Sequence, residues 1–512
     1  MRRLFLYVCA AALCLTLSGC WEADIPAEAE DFWDYTPEET VSSSEIVTRA
    51  SVFTLPFLNS QTMDPITCSD GAQQVVGSLL YEGLFALDEH FEPQPVLCSR
   101  IDRSEDGLTY TFYLREGVTF TNGDALMPSD VTAAYRRAQI SERYSARFAN
   151  VASMRAGRGT VVISLIQPDS AFPSLLDIPI VKSGTEKDTT PLGTGPYLFQ
   201  TEDSGPCLVR NEAWWNGTAP LPRIELASAK DADTAVYLFS AQSAHLLTAD
   251  LLSPTTASSV GGADMTDAPT TSLLYLGINT SAAPLSDPAL RRAMGLGLDR
   301  GTIAATLLAG HAQEAQFPIS PASSLYPVSA DVPYTAGAYA AALMELRGEG
   351  EADAQTTNLT LLVNEENSFK TALAEYLAKQ LSAGQLRVTP EILPWNEYLD
   401  RLESRQFDLF LGELRLTPDW NITSLVGTGG ALNFARFSDS ETDAALRAFL
   451  RDETPATAAA LCQRLSEQAP ILPLAFKSLS VLTTEWLIDG ISPTATQPLR
   501  NLEQWTFHFY SQ

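Results

Sequence analysis

Histidines, cysteines, serines and carboxylates are the side chains that could make or hold bonds in this chain, and their spacing decides which chemistry is open to it. The four histidines, His90, His245, His311 and His508, stand singly, with no His-Glu-x-x-His pair to hold a zinc ion. No Gly-x-Ser-x-Gly lifts a serine into a nucleophile's position, and no Gly-Lys pair opens a phosphate-binding loop. Gly193-Thr194-Gly195 precedes Pro196 and Tyr197 rather than a helix start, so it reads as a turn needing positive φ or a close backbone approach. Leu298-Asp299-Arg300, on an apolar helical stretch, reads as structural, and Asn421-Ile422-Thr423 is not taken as a glycosylation acceptor. Neither catalysis, nor a metal, nor a cofactor is expected.

Four of the seven cysteines remain once Cys9 and Cys14 leave with a signal segment and Cys20 is modified. Cys68, Cys98, Cys207 and Cys462 allow three full pairings between which spacing does not choose, and no Cys-x-x-Cys occurs. Cys98, after Pro95-Val96-Leu97, reads as a buried small thiol.

A chain without bond-making machinery works by holding something, and charge limits what that is. The 33 basic and 62 acidic residues give a net charge of -29, which repels phosphate backbones and anionic headgroups in the absence of a local basic patch. Nucleic acid is therefore not a partner, and the acidity reads as solubility outside a cell. The 512 residues exceed one core and predict two or three domains.

Residues 1–20 combine Arg2 and Arg3 with an apolar run from Leu4 to Leu17, shorter than the ~20 residues of a membrane span. They read as a secretion signal with a simple positive start rather than a twin-arginine address. Its end, Leu17-Ser18-Gly19-Cys20, resembles the bacterial lipobox, in which the cysteine thiol accepts a diacylglycerol and becomes the new N-terminus. Residues 21–50, rich in acids and without a sustained period, read as a solvated tether.

The folded part begins near Ser51 with a strand and a turn at Met63-Asp64-Pro65, and Val75 to Leu84 carries apolar residues at helical intervals. Leu108, Tyr110, Phe112 and Leu114 alternate with polar neighbours as a half-buried strand. Arg115-Glu116-Gly117 then turns the chain and Val118-Thr119-Phe120 is expected to return as a hairpin partner, with Asn122-Gly123 as a second tight turn. Pro128 suits a first helical position and Asp130 the first turn, with Val131, Ala134, Tyr135 and Ala138 on the buried face. Leu359–Val363, Phe369–Leu381 and Arg387–Ile392 read as strand, helix and strand of a βαβ-like unit.

The stretch from Asp106 to Val131 resembles the signature region of family 5 of the extracellular solute-binding proteins, the oligopeptide- and dipeptide-binding lipoproteins that serve ABC importers. Further stretches follow in that family's order: Met63–Pro65 with Leu80–Leu97, Leu192–Phe199, Arg210–Leu226, Leu274–Ile303, Trp395–Glu413 and Ala469–Phe476. The resemblance spans the chain from about residue 51 to its end. It implies the α/β periplasmic-binding-protein fold, type II in its large cluster C form, with two lobes and a ligand cleft between them. Lobe I would take residues 51–272, including a subdomain about 76–189, and the return 478–512; lobe II would take 273–477.

The resemblance also implies where a ligand would be held. The family's Gly-Trp-x-x-Asp-Tyr-x-Asp-Pro segment corresponds here to Gly412–Trp420, with Glu413 in place of the tryptophan, Leu416 where an acid grips a peptide's amino terminus, and Trp420 in place of the proline. Leucine cannot hold an ammonium, so either the grip has moved to Glu413 or Asp419, or the ligand has no free amino terminus. Ser69, Asp70, Tyr144, Trp395 and Phe476 are further candidates. Each also has a plain structural reading, since a lone aromatic is more often core and a loop aspartate a turn residue. Arg415, between Leu414 and Leu416, must meet an anion if it is buried, either the protein's or the ligand's.

The expected function is that of a monomeric, lipid-anchored substrate-binding protein of an ABC importer, carrying peptides to permease subunits and their ATPases on the extracytoplasmic face of the cell membrane, which is the periplasmic space if the cell has two membranes. The alternatives are a receptor for a glycan fragment, an opine or a metal chelate, and a peptide-sensing or adhesion lipoprotein without transport.

Overall fold

Alternation dictates one strand with clarity: Thr109–Leu114 buries Tyr110, Phe112 and Leu114 and leaves Thr109, Thr111 and Tyr113 half exposed. It belongs to a computed structural model that describes residues 52–252, 263–347 and 356–509, all within one contact unit, Arg49–Gln512. The signal segment 1–20 with Cys20 and the tether 21–50 lie outside the described residues.

The strand's expected hairpin partner is wrong. Both edges of Thr109–Leu114 are occupied, by Cys98–Arg103 and by Thr160–Leu165, in an antiparallel sheet completed by Val151–Ala156. Val118–Phe120 therefore folds back on the residues after it. Asn122-Gly123 turns the chain, Phe120 N donates to Asp124 O at 2.8 Å and Leu126 N to Val118 O at 3.0 Å. The helix Pro128–Gln139 follows with Pro128 in its first turn. The Asp130 carboxylate accepts from Met127 N at 2.9 Å and from Ser183 N at 3.0 Å.

The helical spacing from Val75 to Leu84 is realised only to Ser78, where the helix Gly71–Ser78 stops. The next carbonyls serve another segment instead: Leu80 O accepts from Gly195 N at 3.0 Å and Leu79 O from Tyr197 N at 3.2 Å. Gly193 and Gly195 sit here because a Cβ would lie 2.0 Å from Leu80 O at the first and 2.6 Å from Leu79 O at the second. Of the two readings of that turn, close approach holds, since neither residue has a positive φ.

A second sheet pairs Thr54–Leu58 in parallel with Arg223–Ala229, followed by Gly205–Arg210 and Tyr197–Glu202 antiparallel. The third is larger and runs Leu246–Ala249, Ile471–Thr484, Ala263–Ile278, Leu409–Arg415, Thr357–Asn364, Leu386–Leu393, with Ala312–Glu314 also on Ile471–Thr484. Thr357–Asn364, the helix Ser368–Leu381 and Leu386–Leu393 form the expected parallel crossover.

Period-2 burial gives this third sheet two cores. Leu274, Leu276 and Ile278 pack with Leu290, Met294 and Leu373, while Leu273 and Tyr275 pack with Phe410, Phe449 and Leu461. Tyr275 pairs with Gly412 and Phe410 with Gly277, and each ring lies over the facing glycine, where a Cβ would meet ring carbons at 2.4 Å and 2.1 Å. Leu298-Asp299-Arg300 is structural, although it joins two helices rather than lying within one. Asp299 caps Thr302 N, and buried Arg300 donates to Pro473 O at 2.8 Å. Cys68, Cys98, Cys207 and Cys462 are free and buried. No helix among the described residues is long and apolar enough to cross a membrane.

Candidate functional site

Two strands run on from one half of the molecule into the other. Ala263–Pro269 pairs with Ser478–Thr484 beside Leu246–Ala249, and Leu273–Gly277 pairs with Ile471–Phe476 beside Leu409–Arg415. Between Pro269 and Leu273 the register shifts. Proline supplies no N–H there, and Thr270 fills in by donating its hydroxyl to Lys477 O at 2.5 Å and accepting from Ser272 N at 3.0 Å.

The shift places Lys477, almost fully buried, at the crossing. Its ammonium donates to Asp250 Oδ2 at 2.6 Å and to Glu413 Oε1 at 3.0 Å, and lies 5.3 Å from the Phe369 ring centre. Lys370 takes the other Glu413 oxygen at 2.8 Å. Burial pushes the Glu413 carboxyl up, yet the two lysines outweigh it and hold the group below its ordinary value. Each oxygen of Glu413 is thus already matched by a cation of the protein. Trp395 opens the helix Trp395–Ser404 at the same carboxyl ends of the parallel strands and is 47% exposed, stacked on Tyr398 with ring centres 5.7 Å apart.

Facing this edge from the first half is the segment around Tyr144, which is buried. Arg143 and Arg147 place their guanidinium carbons 5.1 Å and 5.3 Å from its ring centre. Arg147 pairs with buried Asp177 and donates to Leu175 O at 3.2 Å. Arg143 is satisfied by neutral groups, Cys68 O at 3.0 Å and Gln74 Oε1 at 2.9 Å. It thereby ties Tyr144 to the loop of Ser69 and Asp70, where Ser69 is exposed and the Asp70 carboxylate caps the helix Gly71–Ser78 through Gln73 N at 3.0 Å.

Trp420 and Phe476 are both buried. Their rings meet edge to face at 5.9 Å, and Phe91 of the first half closes on Trp420 at 5.1 Å. That packing holds Trp420 at φ +50, a backbone region tryptophan seldom adopts. The halves also meet where Ser170 N donates to Leu450 O at 2.8 Å, Glu453 N to Ser170 Oγ at 2.7 Å and Ser324 Oγ to Glu92 Oε1 at 3.0 Å.

Three carboxylates come together along this seam: Asp169 from the first half, Asp419 and Glu453 from the second. Burial and mutual repulsion raise Asp169 and Glu453, the latter to about 10; burial raises Asp419, which accepts from Asn421 N at 3.3 Å. Glu453 Oε1 is buried without a hydrogen-bond partner. The folded protein holds the Glu453 proton more tightly than the unfolded chain, so nothing is lost below the ordinary value of 4.5 and stability falls as pH climbs toward about 10. Glu453→Gln removes that titration. It is expected to raise stability at about pH 8 by on the order of 1–3 kcal/mol and to change little near pH 4. Melting temperatures of both proteins across that range check it, and a parallel offset at every pH would contradict it.

Asp419 was a sequence candidate, but Asp169, Glu453, Lys370, Lys477, Asp250 and Arg143 escaped sequence reasoning. Two signals pointed at them: Lys477 is the one charge ending the apolar run Ile471–Phe476, and Arg143 adjoins Tyr144. No group of three or more metal-ligating side chains occurs among the described residues. A cavity of about 290 Å³, lined by Leu79, Glu82, Leu87, Trp214, Pro220 and Leu499, opens within the first half, and none of its walls comes from the second.

Comparison with known proteins agrees with this geometry. The family model "Bacterial extracellular solute-binding proteins, family 5 Middle" matches residues 92–431. The glutathione-binding protein GsiB of Salmonella typhi is 25% identical over 458 residues, covering 82% of this chain and 88% of its own. Among solved structures, the oligopeptide-binding protein AppA of Bacillus subtilis with a nonapeptide aligns over 90% of this chain and 98% of its own, at TM-score 0.59 and 21% identity. NikA of Brucella suis with Fe(III)-EDTA aligns over 90% and 100%, at TM-score 0.69 and 19% identity. These two likenesses establish the two-lobe α/β binding-protein fold.

Proposed function

The chain belongs to family 5 of the bacterial extracellular solute-binding proteins, and from that premise we propose that it is the substrate-binding protein of an ABC importer, capturing peptides between its lobes and delivering them to a membrane permease. Enclosure replaces chemistry: contacts formed only when the lobes shut hold the solute, and no bond is made or broken. The observation that carries this reading is the pair of long strands whose register shift gathers polar side chains of both halves at the crossing.

In this reading lobe I comprises residues 51–272, with a subdomain about 76–189 and the return 478–512, and lobe II residues 273–477. The shift between Pro269 and Leu273 supports the boundary, and the separate core around Tyr110, Phe112 and Ile163 supports the subdomain. Ser69, Tyr144, Trp395 and Arg415 line the ligand's space; Glu413 and Asp70 shape it through their protein partners; Asp419, Trp420 and Phe476 form its closing seam. Leu17-Ser18-Gly19-Cys20 supports a diacylglycerol anchor on Cys20 and a position on the extracytoplasmic face of the membrane, where the protein acts as a monomer.

A thermal-shift screen of the purified chain against di- to hexapeptides tests the peptide reading. A ligand at a hundred times its Kd adds about 2.7 kcal/mol and raises the melting temperature. If no peptide does so while a glycan fragment, an opine or a metal chelate does, the peptide assignment falls and the receptor assignment stands.

A further inference from the structure

The cavity of about 290 Å³ in the first half has walls that are held from several sides. One wall is the Trp214 indole. Its loop is tied to Gly195 and Pro196: Asn211 N donates to Pro196 O at 2.8 Å, Asn211 Nδ2 to Gly195 O at 3.0 Å, and Trp214 N to Asn211 O at 3.1 Å. The ring is pinned in turn, because its Nε1 donates to Glu82 Oε1 at 3.1 Å. An indole whose N–H is occupied and whose backbone is anchored presents a preorganised apolar face. Another wall is the C-terminal return from Gln497 to Glu503. Gln497 N donates to Thr494 Oγ1, Arg500 N to Gln497 O and Trp505 Nε1 to Arg500 O, each at 3.1 Å. The Arg500 guanidinium pairs with Glu89, on the turn between the strands Phe85–Leu87 and Pro93–Pro95, and so straps the return to that hairpin.

The lining chemistry narrows what such a space would take. Its charged groups are Glu82, Arg500 and Glu503. Both Glu82 oxygens already accept from Trp214, Trp215 and Thr194, and Arg500 answers Glu89, which leaves exposed Glu503. An anion would meet that carboxylate without a free cation to hold it, and a cation would meet a single carboxylate in water, which contributes little. Asn216, Gln497 and Asn501 carry carboxamides that make no hydrogen bond among the described residues. A carboxamide donates and accepts, as a hydroxyl does. The complement is therefore neutral, with an apolar side for the indole and hydroxyls around its edge.

We propose that this cavity is a second binding site, within lobe I, for a neutral polyhydroxylated ring of monosaccharide size, stacked on Trp214 and held by Asn216, Gln497 and Asn501. The volume lies at the small end of the range for ligand pockets, about 300–1,000 Å³, and suits one ring rather than a peptide. The site goes beyond the interlobe cleft and stands whatever solute the lobes enclose.

The test is fluorine NMR of the full chain carrying 5-fluorotryptophan at its eight tryptophans, with the Trp214 and Trp395 resonances identified by their loss in Trp214→Phe and Trp395→Phe. D-glucose, N-acetylglucosamine and myo-inositol are titrated separately to about 100 mM, with glycerol as the control for a general solvent effect. At least one ring is expected to shift the Trp214 resonance saturably, with half-saturation at about 1–10 mM for a ligand of so few atoms, and glycerol is not. Which of the three binds distinguishes a sugar from a cyclitol. Gln497→Leu weakens that binding about 3- to 10-fold, the range for one lost hydrogen bond. Asn216→Leu, at an exposed position, repeats the measurement should the first variant misfold.

No saturable shift at Trp214 with any ring, or an equal shift with glycerol, overturns the proposal. So does binding that is unchanged in the variants. A shift at Trp395 and none at Trp214 places the ring in the cleft, which overturns the second site while leaving the receptor reading intact. Indole shifting Trp214 where none of the three rings does assigns the cavity to an apolar ligand and overturns the polyol class.

Discussion

Arg147→Met is expected to destabilise the protein by about 3–5 kcal/mol, the cost of stranding a buried charge. The Asp177 side chain is 3% exposed, and Arg147 is the cation that pairs with it. Methionine keeps much of the volume and none of the charge, so Asp177 must either ionise without a partner or take up a proton. The same change removes a positive charge that favours ionised Asp419 at the seam. Chemical denaturation followed by tryptophan fluorescence measures the loss. Arg147→Met with Asp177→Leu should recover most of it, since two apolar groups leave no orphan charge. A single variant as stable as the natural protein would mean that the pair contributes nothing.

Gly193→Ala is the other large loss, about 3 kcal/mol, at the upper end of the range for overpacking. The added carbon would sit 2.0 Å from Leu80 O and 2.6 Å from Tyr81 Cδ1, and backbone cannot rotate away as a long side chain can. Neighbouring bonds move with it. Thr194 donates its hydroxyl to Glu82 Oε2 at 2.7 Å, and the Trp214 and Trp215 indoles donate to the same carboxylate at 3.1 Å and 2.9 Å. Burial pushes the Glu82 carboxyl up while these three donors pull it down, so a shifted loop also alters the emission of both tryptophans. Gly71→Ala is the control. It sits in the first turn of a helix with its nearest contact at 3.4 Å, and should be neutral or slightly stabilising.

Local pattern was a sound guide wherever a structural choice depended on near neighbours. The alternation from Thr109 to Leu114, the proline and aspartate opening the helix Pro128–Gln139, and the strand–helix–strand unit from Thr357 to Leu393 were all readable. Each misreading involved a competitor far along the chain. Val118–Phe120 lost its expected partner to Cys98–Arg103 and Thr160–Leu165, and the helix after Gly71 stopped because Gly195 and Tyr197 claimed the Leu80 and Leu79 carbonyls. The site was legible only in part. Arg415 stood out as a charge between leucines, but whether a protein carboxylate would answer it was not written nearby.

By itself, the order of residues carried the resemblance to the family, in stretches spread from Met63 to Phe476, and the lack of a recognisable catalytic motif. The strand and helix periods are a few residues long, whereas the two lobes and the crossing between them followed only from that resemblance. Tertiary structure alone decided which charges are spent and which are free. Lys477 finds Asp250 227 positions away and Glu413 64 away, whereas Arg415 pairs with no carboxylate among the described residues. Charges interact through the space between them and the water excluded from it, and neither quantity exists until the chain has folded.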